Sequence, residues 1–274
     1  MSHPISIAQL SALDASPAEL IDIAARCGCQ FVGLRLLPVT AEEAPSPLVG
    51  NQQLRRDVAA RARDAAVGVL DIEVFRLTPE VTVANWEPAL AAASELGARH
   101  LLTQVHDPNQ QRALDRFGEF CALAASYQLT CDIEFLTWTE MRDLESVRRF
   151  LVGAGQANGG ICIDTLHFWR SRCRLAEIEQ LPAEWVRYVQ VADGRGPRDV
   201  SAAEMIRVAR EERALPGAGE IDLRGIIARV SPDTPLALEI PNVQLARRLS
   251  PEDRLRLART KLIELLSTLE AAAA

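Results

Sequence analysis

The sequence predicts a (β/α)8 barrel built as one domain, and three observations carry that prediction. Strand-like and helix-like segments alternate from one end of the 274-residue chain to the other, in eight repeats. The first strand-to-helix turn, Ala8 to Ala15, contains no glycine, so it lacks the phosphate turn that a doubly wound sheet places there. The last four strand-like runs each end on a carboxylate or carboxamide, at the strand ends where barrel enzymes build their sites.

The elements follow from residue type and punctuation. Ile5–Leu10 reads as the first strand and Pro17–Cys27 as its helix, with Ser16 as N-cap and Pro17 at the first helical position. Phe31–Leu36 is the second strand, and a Pro-rich loop from Pro38 to Gly50 leads to a helix over Leu54–Ala66. Val69–Val74 is the third strand. Trp86–Leu96 is helical and stops at Gly97, before the fourth strand, His100–Gln104. Gln110–Tyr127 is a helix, Thr130–Glu134 a strand, Thr139–Ala154 a helix and Gly160–Asp164 the sixth strand. A weaker helix over Leu175–Gln180 precedes the strand Val186–Val191. A long glycine-containing loop then reaches a helix over Leu223–Val230. Leu236–Glu239 is the eighth strand, and Pro251–Glu270 closes the domain, placed at 1–270, with the alanines 271–274 as a frayed tail.

Composition narrows the function. The net charge of -7 disfavours a nucleic-acid partner, and the sequence carries no basic stripe of the kind such a partner requires. No apolar stretch approaches the roughly 20 residues that span a bilayer, and Met1-Ser2-His3-Pro4 lacks a signal-peptide pattern, so a cytoplasmic protein is expected. In that compartment the six cysteines read as reduced thiols, and Cys27-Gly28-Cys29 as structural. Lys261, the only lysine, lies in the terminal helix, which sets aside Schiff-base aldolase chemistry.

Glu134, Asp164, Gln190 and Glu239 end strands five to eight. Carboxylates converging from neighbouring strand ends repel one another unless a cation lies between them. The four oxygen donors therefore point to one divalent metal ion, Mg or Mn by oxygen preference, with Zn or Co also able to bind. An individual acid of this kind is as readily a helix cap or salt-bridge partner; four in register are harder to explain that way. His167, three residues after Asp164, could bind the metal, orient a ligand or simply pack. His106, just past the fourth strand, lies on the rim, whereas His3 and His100 read as peripheral or structural.

Five motifs occur in order: Asp132-Ile-Glu134-Phe, Ile163-Asp164-Thr-Leu-His167, Val189-Gln190-Val-Ala-Asp193-Gly, Pro216-Gly217-Ala-Gly219-Glu220 and Leu238-Glu239-Ile-Pro241. Together they resemble the xylose-isomerase-like sugar phosphate isomerase/epimerase family, whose superfamily also holds the endonuclease IV-type barrels. The resemblance implies that Glu134, Asp164, Gln190 and Glu239 bind the metal and that Glu134 and Glu239 are the catalytic proton-transfer pair. The chemistry follows: a cation beside a carbonyl and its neighbouring hydroxyl acidifies the carbon-bound hydrogen, and a carboxylate on each face of the resulting enediolate moves the proton. Many members carry histidine at the third ligand position and lysine two residues later, where this chain has Gln190 and Ala192. The glutamine resembles the hydroxypyruvate-isomerase-like branch. The missing lysine weighs against the epimerase and dehydratase branches, Leu136 in place of a histidine weighs further against the dehydratase, and four histidines are too few for a multi-zinc nuclease.

The expected activity is therefore a divalent-metal-dependent isomerase or epimerase for a small sugar or hydroxy-keto acid. The alternatives are a metal-dependent dehydratase of a keto-polyol and a non-catalytic metabolite-binding barrel. Substrate-contact candidates are His167, His106, Arg195, Arg213, Trp138 and Trp169, with Arg35, Glu73, Arg76 and Gln104 also at strand ends. The Pro216–Gly219 loop reads as a lid or an anion cradle. A homodimer is compatible with a barrel but has no signal in the sequence.

Overall fold

A computed structural model describes residues 3–39 and 43–273, with side chains through Leu269. Eight parallel strands close in sequence order, β1-β2-β3-β4-β5-β6-β7-β8, with β8 pairing back onto β1. They are β1 Ile5–Ile7, β2 Phe31–Arg35, β3 Gly68–Leu77, β4 His100–Val105, β5 Thr130–Glu134, β6 Gly159–Asp164, β7 Val186–Val191 and β8 Leu236–Leu238. The helices are α1 Pro17–Cys27, α2 Pro47–Gly50, α3 Gln52–Asp64, α4 Glu87–Glu95, α5 Gln110–Ser126, α6 Leu144–Ala154, α7 Thr165–Arg170, α8 Leu175–Glu179, α9 Ala202–Glu211, α10 Leu223–Ile227, α11 Val243–Ala246 and α12 Pro251–Ala273.

Local chemistry fixes the helix ends. Ser16 and Glu19 form a reciprocal capping box on α1, and Gly28, at φ 72°, ends it in the left-handed conformation that glycine adopts without strain. Cys27 and Cys29 on either side are buried free thiols. Asp143 caps α6, so that helix begins at Leu144 rather than at Thr139. Residues 139–141 instead form a turn closed by the Leu136 N–H to Met141 O bond. β1 stops at Ile7 and a 3-10 turn takes over at Gln9–Ala12. The glycine-containing loop expected after β7 holds a ten-residue helix, α9. Its signal was present in the sequence: Ser201 accepts from the Glu204 N–H, ahead of the apolar positions Met205, Ile206, Val208 and Ala209. α12 carries its helical backbone to Ala273, into the alanine tail expected to be frayed, and Ala274 lies outside the described residues, as do Met1-Ser2 of the N-terminal reading and residues 40–42 of the Pro-rich loop.

Strand alternation makes two cores. Leu101, Ile133, Ile161, Ile163, Val189, Leu236 and Leu238 face outward into the main apolar layer beneath the helices. The inward set stacks in layers. Leu102, Cys162, Tyr188 and Ala237 form a buried apolar cluster, and Asp71 and Asp132 are also fully enclosed. Asp71 accepts from the Tyr188 hydroxyl at 3.4 Å, and Asp132 lies 2.9 Å from His100 Nδ1. Above them the next inward positions are Gln104, Glu134, Asp164, Gln190 and Glu239, so the apolar layer is the floor of the polar one. No helix among the described residues is long and apolar enough to cross a membrane.

Glycine makes room for the enclosed acids. A Cβ at Gly160 would lie 2.7 Å from Arg187 Cγ and overlap the Asp132 carboxylate. Gly160→Ala should destabilise the fold by roughly 1–3 kcal/mol through overpacking, read as a lower denaturant midpoint with an unchanged slope. A midpoint equal to wild type would show that this layer is slack.

Candidate functional site

The C-terminal strand ends open into a cavity of about 310 Å³ lined by Glu73, Glu134, Glu239, His106, His167 and Gln104, by four arginines, Arg35, Arg76, Arg210 and Arg213, and by apolar residues including Leu136 and Trp138. Asp164 and Gln190, both fully buried, lie among these strand ends without lining the cavity.

Glu134 ends β5. Its Oε2 accepts from the Gln104 amide at 2.6 Å, which leaves Oε1 toward the ring of His167, whose Nε2 is 3.8 Å away. Asp164 ends β6 and caps α7, one oxygen accepting from the backbone N–H of Leu166 and His167. Its other oxygen lies 2.5 Å from Arg213 Nη1 and 4.0 Å from His167 Nε2. Arg213 Nη2 reaches the far oxygen of Glu239 at 2.8 Å, and the near oxygen of Glu239 accepts from the Gln190 amide at 3.0 Å. The four strand-end residues therefore do converge, but Arg213 is the cation between Asp164 and Glu239.

Burial and this one guanidinium set the protonation states. Burial, reinforced by Asp164, pushes Glu134 up to about 7. Burial also drives Glu239 well above the ordinary carboxylate range despite Arg213. Burial works to raise Asp164 as well, but Arg213 and His167 outweigh it and hold that group at about 2. Asp164 is thus the fixed anion, while Glu134 and Glu239 carry movable protons. Burial lowers His167 to about 4; it lowers His106 to about 4 as well, with the nearby Arg76 adding to the effect, so both rings are neutral near pH 7.

Three of these side chains are placed where they could hold a metal ion. Glu134, Asp164 and His167 present ligand atoms within 4.8 Å of one another, all buried. The His167 Nε2 distances are too long for hydrogen bonds but suit three groups sharing a central atom. His167 Nδ1 is buried without a hydrogen-bond partner. Gln190 and Glu239, expected as ligands, hydrogen-bond each other, and Glu239 also pairs with Arg213, while His167 lies beside Glu134 and Asp164. A nitrogen in the set suits Zn, Mn or Co better than Mg.

The remaining candidates divide. His106, Trp138, Arg213 and His167 line the cavity, as do Arg35, Glu73, Arg76 and Gln104. Trp138 meets the His167 ring edge-on at 5.1 Å. Two candidates lie elsewhere. Trp169 packs into the outer apolar layer with Arg198 over its ring at 4.7 Å. Arg195 donates to the carbonyl of Ala218 and faces a separate surface hollow with Arg207 and Arg248. Trp169 lies on α7, which begins directly after β6, and Arg195 lies in the loop past β7, positions at which the sequence does not reveal which way a side chain heads. Arg210, Ile206 and Ala209 reach the cavity from α9, the helix that sequence reading missed.

The Pro216–Gly219 loop is an anion cradle whose anion is internal. Asp193, fully buried just past β7, accepts from the backbone N–H of Gly194, Gly217, Gly219 and Ile221 at 2.9, 3.1, 2.9 and 3.0 Å. Its backbone also pairs with Ala214 in both directions. Gly219 is required by close approach, because a Cβ there would overlap the Asp193 carboxyl and the Gly194 carbonyl. This clamp fixes the chain next to Arg213, ruling out a freely swinging lid.

These features define a (β/α)8 barrel with a buried acid, histidine and arginine site at its strand C-termini, the location where such barrels carry catalysis. Residues 21–264 match the family model for the xylose isomerase-like TIM barrel, and the chain belongs to that family. A 3-dehydroshikimate dehydratase of Pseudomonas aeruginosa is 35% identical over 109 residues, a match spanning 39% of this chain and 16% of that protein. The fold resembles the structure of the IolI protein with a bound zinc atom, at TM-score 0.80 and 14% identity over 97% of this chain and 99% of that one. It also resembles D-psicose 3-epimerase crystallised in the presence of D-fructose, at TM-score 0.72 and 13% identity over 95% and 97%.

Removing the clamp should disturb both stability and site. Asp193→Ala strands four backbone donors and should cost on the order of 3 kcal/mol, with the Arg213 segment loosened. Hydrogen exchange should show faster exchange at Gly217, Gly219 and Ile221; unchanged protection there would refute the clamp.

Proposed function

We propose that this protein transfers a proton beside the carbonyl of a small sugar or hydroxy-keto acid, as an isomerase or epimerase working through an enediolate. One observation carries this reading: Glu134 and Glu239, two buried carboxyl groups on different strand ends, line one cavity, and burial raises both, Glu134 to about 7 and Glu239 well above the ordinary carboxylate range. Groups balanced in this way can accept a proton from carbon and return one.

Gln104 fixes one oxygen of Glu134 and leaves the other for the substrate's carbon-bound hydrogen. Glu239 is fixed at both oxygens, one by the Gln190 amide and the other by Arg213. Arg213 offsets the negative charge that develops when Glu239 gives up its proton. Leu136 and Trp138 form an apolar wall that limits water access to the reacting carbon. A divalent ion held by Glu134, Asp164 and His167 would supply positive charge next to the carbonyl and so acidify the neighbouring C–H.

Dehydration is the second reading, and the 35% identity to a 3-dehydroshikimate dehydratase favours it in spite of Ala192 and Leu136. It begins with the same proton abstraction and then expels a hydroxyl group. The neutral imidazoles of His106 and His167 are weak acids for that step, whereas protonated Glu239 is a suitable donor.

The metal-loaded protein, incubated in deuterated water with ketoses and hydroxypyruvate, should place deuterium on the carbon beside the carbonyl. Glu134→Gln should slow exchange by 10² to 10⁴ without loss of fold. Product that has lost water would select the dehydratase. Absence of exchange across the panel would leave the non-catalytic metabolite-binding barrel.

A further inference from the structure

The geometry points to a carboxylate-binding subsite at the outer end of the cavity, formed by Arg76 and Arg210, which restricts the substrate to a hydroxy-keto acid. This rests on the proton-transfer reading above and names the substrate class for that same site.

The cavity is electrically divided. At its inner end the arginines are taken up by acids: Arg213 lies between Asp164 and Glu239, and Arg35 pairs with Glu73 at 3.1 Å. Arg76 and Arg210 line the same cavity, and neither forms an ion pair among the described residues. Arg76 is half-buried near the end of β3. Its Nε donates to the Gln104 carbonyl at 3.0 Å and one terminal nitrogen donates to the Val39 carbonyl at 2.5 Å, both neutral acceptors. The two bonds hold the guanidinium in place and leave its other terminal nitrogen unassigned. Arg210 approaches from α9, near enough that its charge, after burial, is the largest influence holding Arg76 below its ordinary pKa.

Two guanidinium groups thus face one cavity with no carboxylate among the described residues paired to either, in a chain whose net charge is -7. On α9 itself Arg207 takes both Glu204 and Glu212, leaving Arg210 without a helical partner. Neighbouring His106 is neutral and offers no compensation. The arrangement is costly unless an anion enters, and the charge pattern then matches a ligand with an anionic end outward and a carbonyl inward.

A carboxylate suits this end better than a phosphate. The donors are guanidinium N–H groups alone, which match two coplanar oxygens. The backbone N–H cradle that would suit a third oxygen, at Gly217 and Gly219, is already filled by Asp193.

The test is binding, separate from turnover. Isothermal titration of the full chain with gluconate should give at least tenfold tighter binding than with its neutral amide, gluconamide, and glucose 6-phosphate should bind more weakly than gluconate. Arg210→Gln, on an exposed side chain, should weaken gluconate five- to tenfold and leave gluconamide within twofold; Arg76→Gln should act in the same direction. Equal affinity for acid and amide, equal losses for both in the variants, or no binding of either would overturn the subsite. Tighter binding of glucose 6-phosphate would replace the carboxylate with a phosphate and overturn it equally. Acid-over-amide discrimination without deuterium exchange in any ketose or keto acid would reject the proton-transfer reading and leave the subsite standing, while exchange into neutral ketoses without that discrimination would do the reverse.

Discussion

Arg213 is the interaction on which the active end of this barrel depends. Four strand ends bring carboxyl or carboxamide groups into a space closed to water, and the idealised cost of burying one lone ion is of order 20 kcal/mol. One guanidinium held between Asp164 and Glu239 settles that conflict. It fixes Asp164 as an anion, which in turn caps α7 and orients His167. It cannot neutralise Glu134 as well. The surplus is relieved by protonation: burial raises Glu134 and Glu239 here, as it raises Asp71 in the layer below. Structural compensation and proton-transfer capacity have the same origin.

Arg213 is itself held in place by chemistry remote from the cavity. Its N–H donates to Pro241 O, its carbonyl accepts from the Asn242 amide, and its Nε donates to Ala209 O at the end of α9. Asp193 pins the following loop through four backbone donors. β7, α9 and the segment after β8 therefore meet at one side chain. A change at Asp193 reaches the site by altering where Arg213 can stand, although Asp193 does not line the cavity.

The barrel was legible in the sequence because alternation and strand-end polarity are local. Eight strands were placed within a few residues, with β3 extending beyond its expected end to Leu77 and so bringing Arg76 to the rim. Glu134, Asp164, Gln190 and Glu239 were found because each is a polar residue terminating an apolar run. How they partner was not legible: the pairing of Gln190 with Glu239, and of Arg213 with both Asp164 and Glu239, depends on side-chain direction across strands up to 49 residues apart. Arg195 and Trp169 were misplaced for the same reason, since a residue just past a strand can turn toward the barrel mouth or away from it. Arg210 was missed because α9 was read as loop on account of the glycines at 194 and 196 that precede it, although the Ser201 cap and the apolar spacing after it are ordinary helix signals.

The two halves of the cavity impose complementary demands on a ligand. The inner half offers two buried carboxyl groups, apolar walls and a set of donors able to hold a cation, which under the proposed reaction would select for a carbonyl beside an exchangeable hydrogen. The outer half offers fixed positive charge without matching carboxylates. Its orienting groups are neutral: Gln104 contacts Glu134 through its amide nitrogen and Arg76 through its carbonyl oxygen. This one side chain couples the ends, because rotating its amide to suit one partner would present the wrong atom to the other. The acid that moves the proton and the arginine facing the outer cavity are thus set in register by a single residue, and a ligand that displaced Arg76 would also disturb the orientation of Glu134.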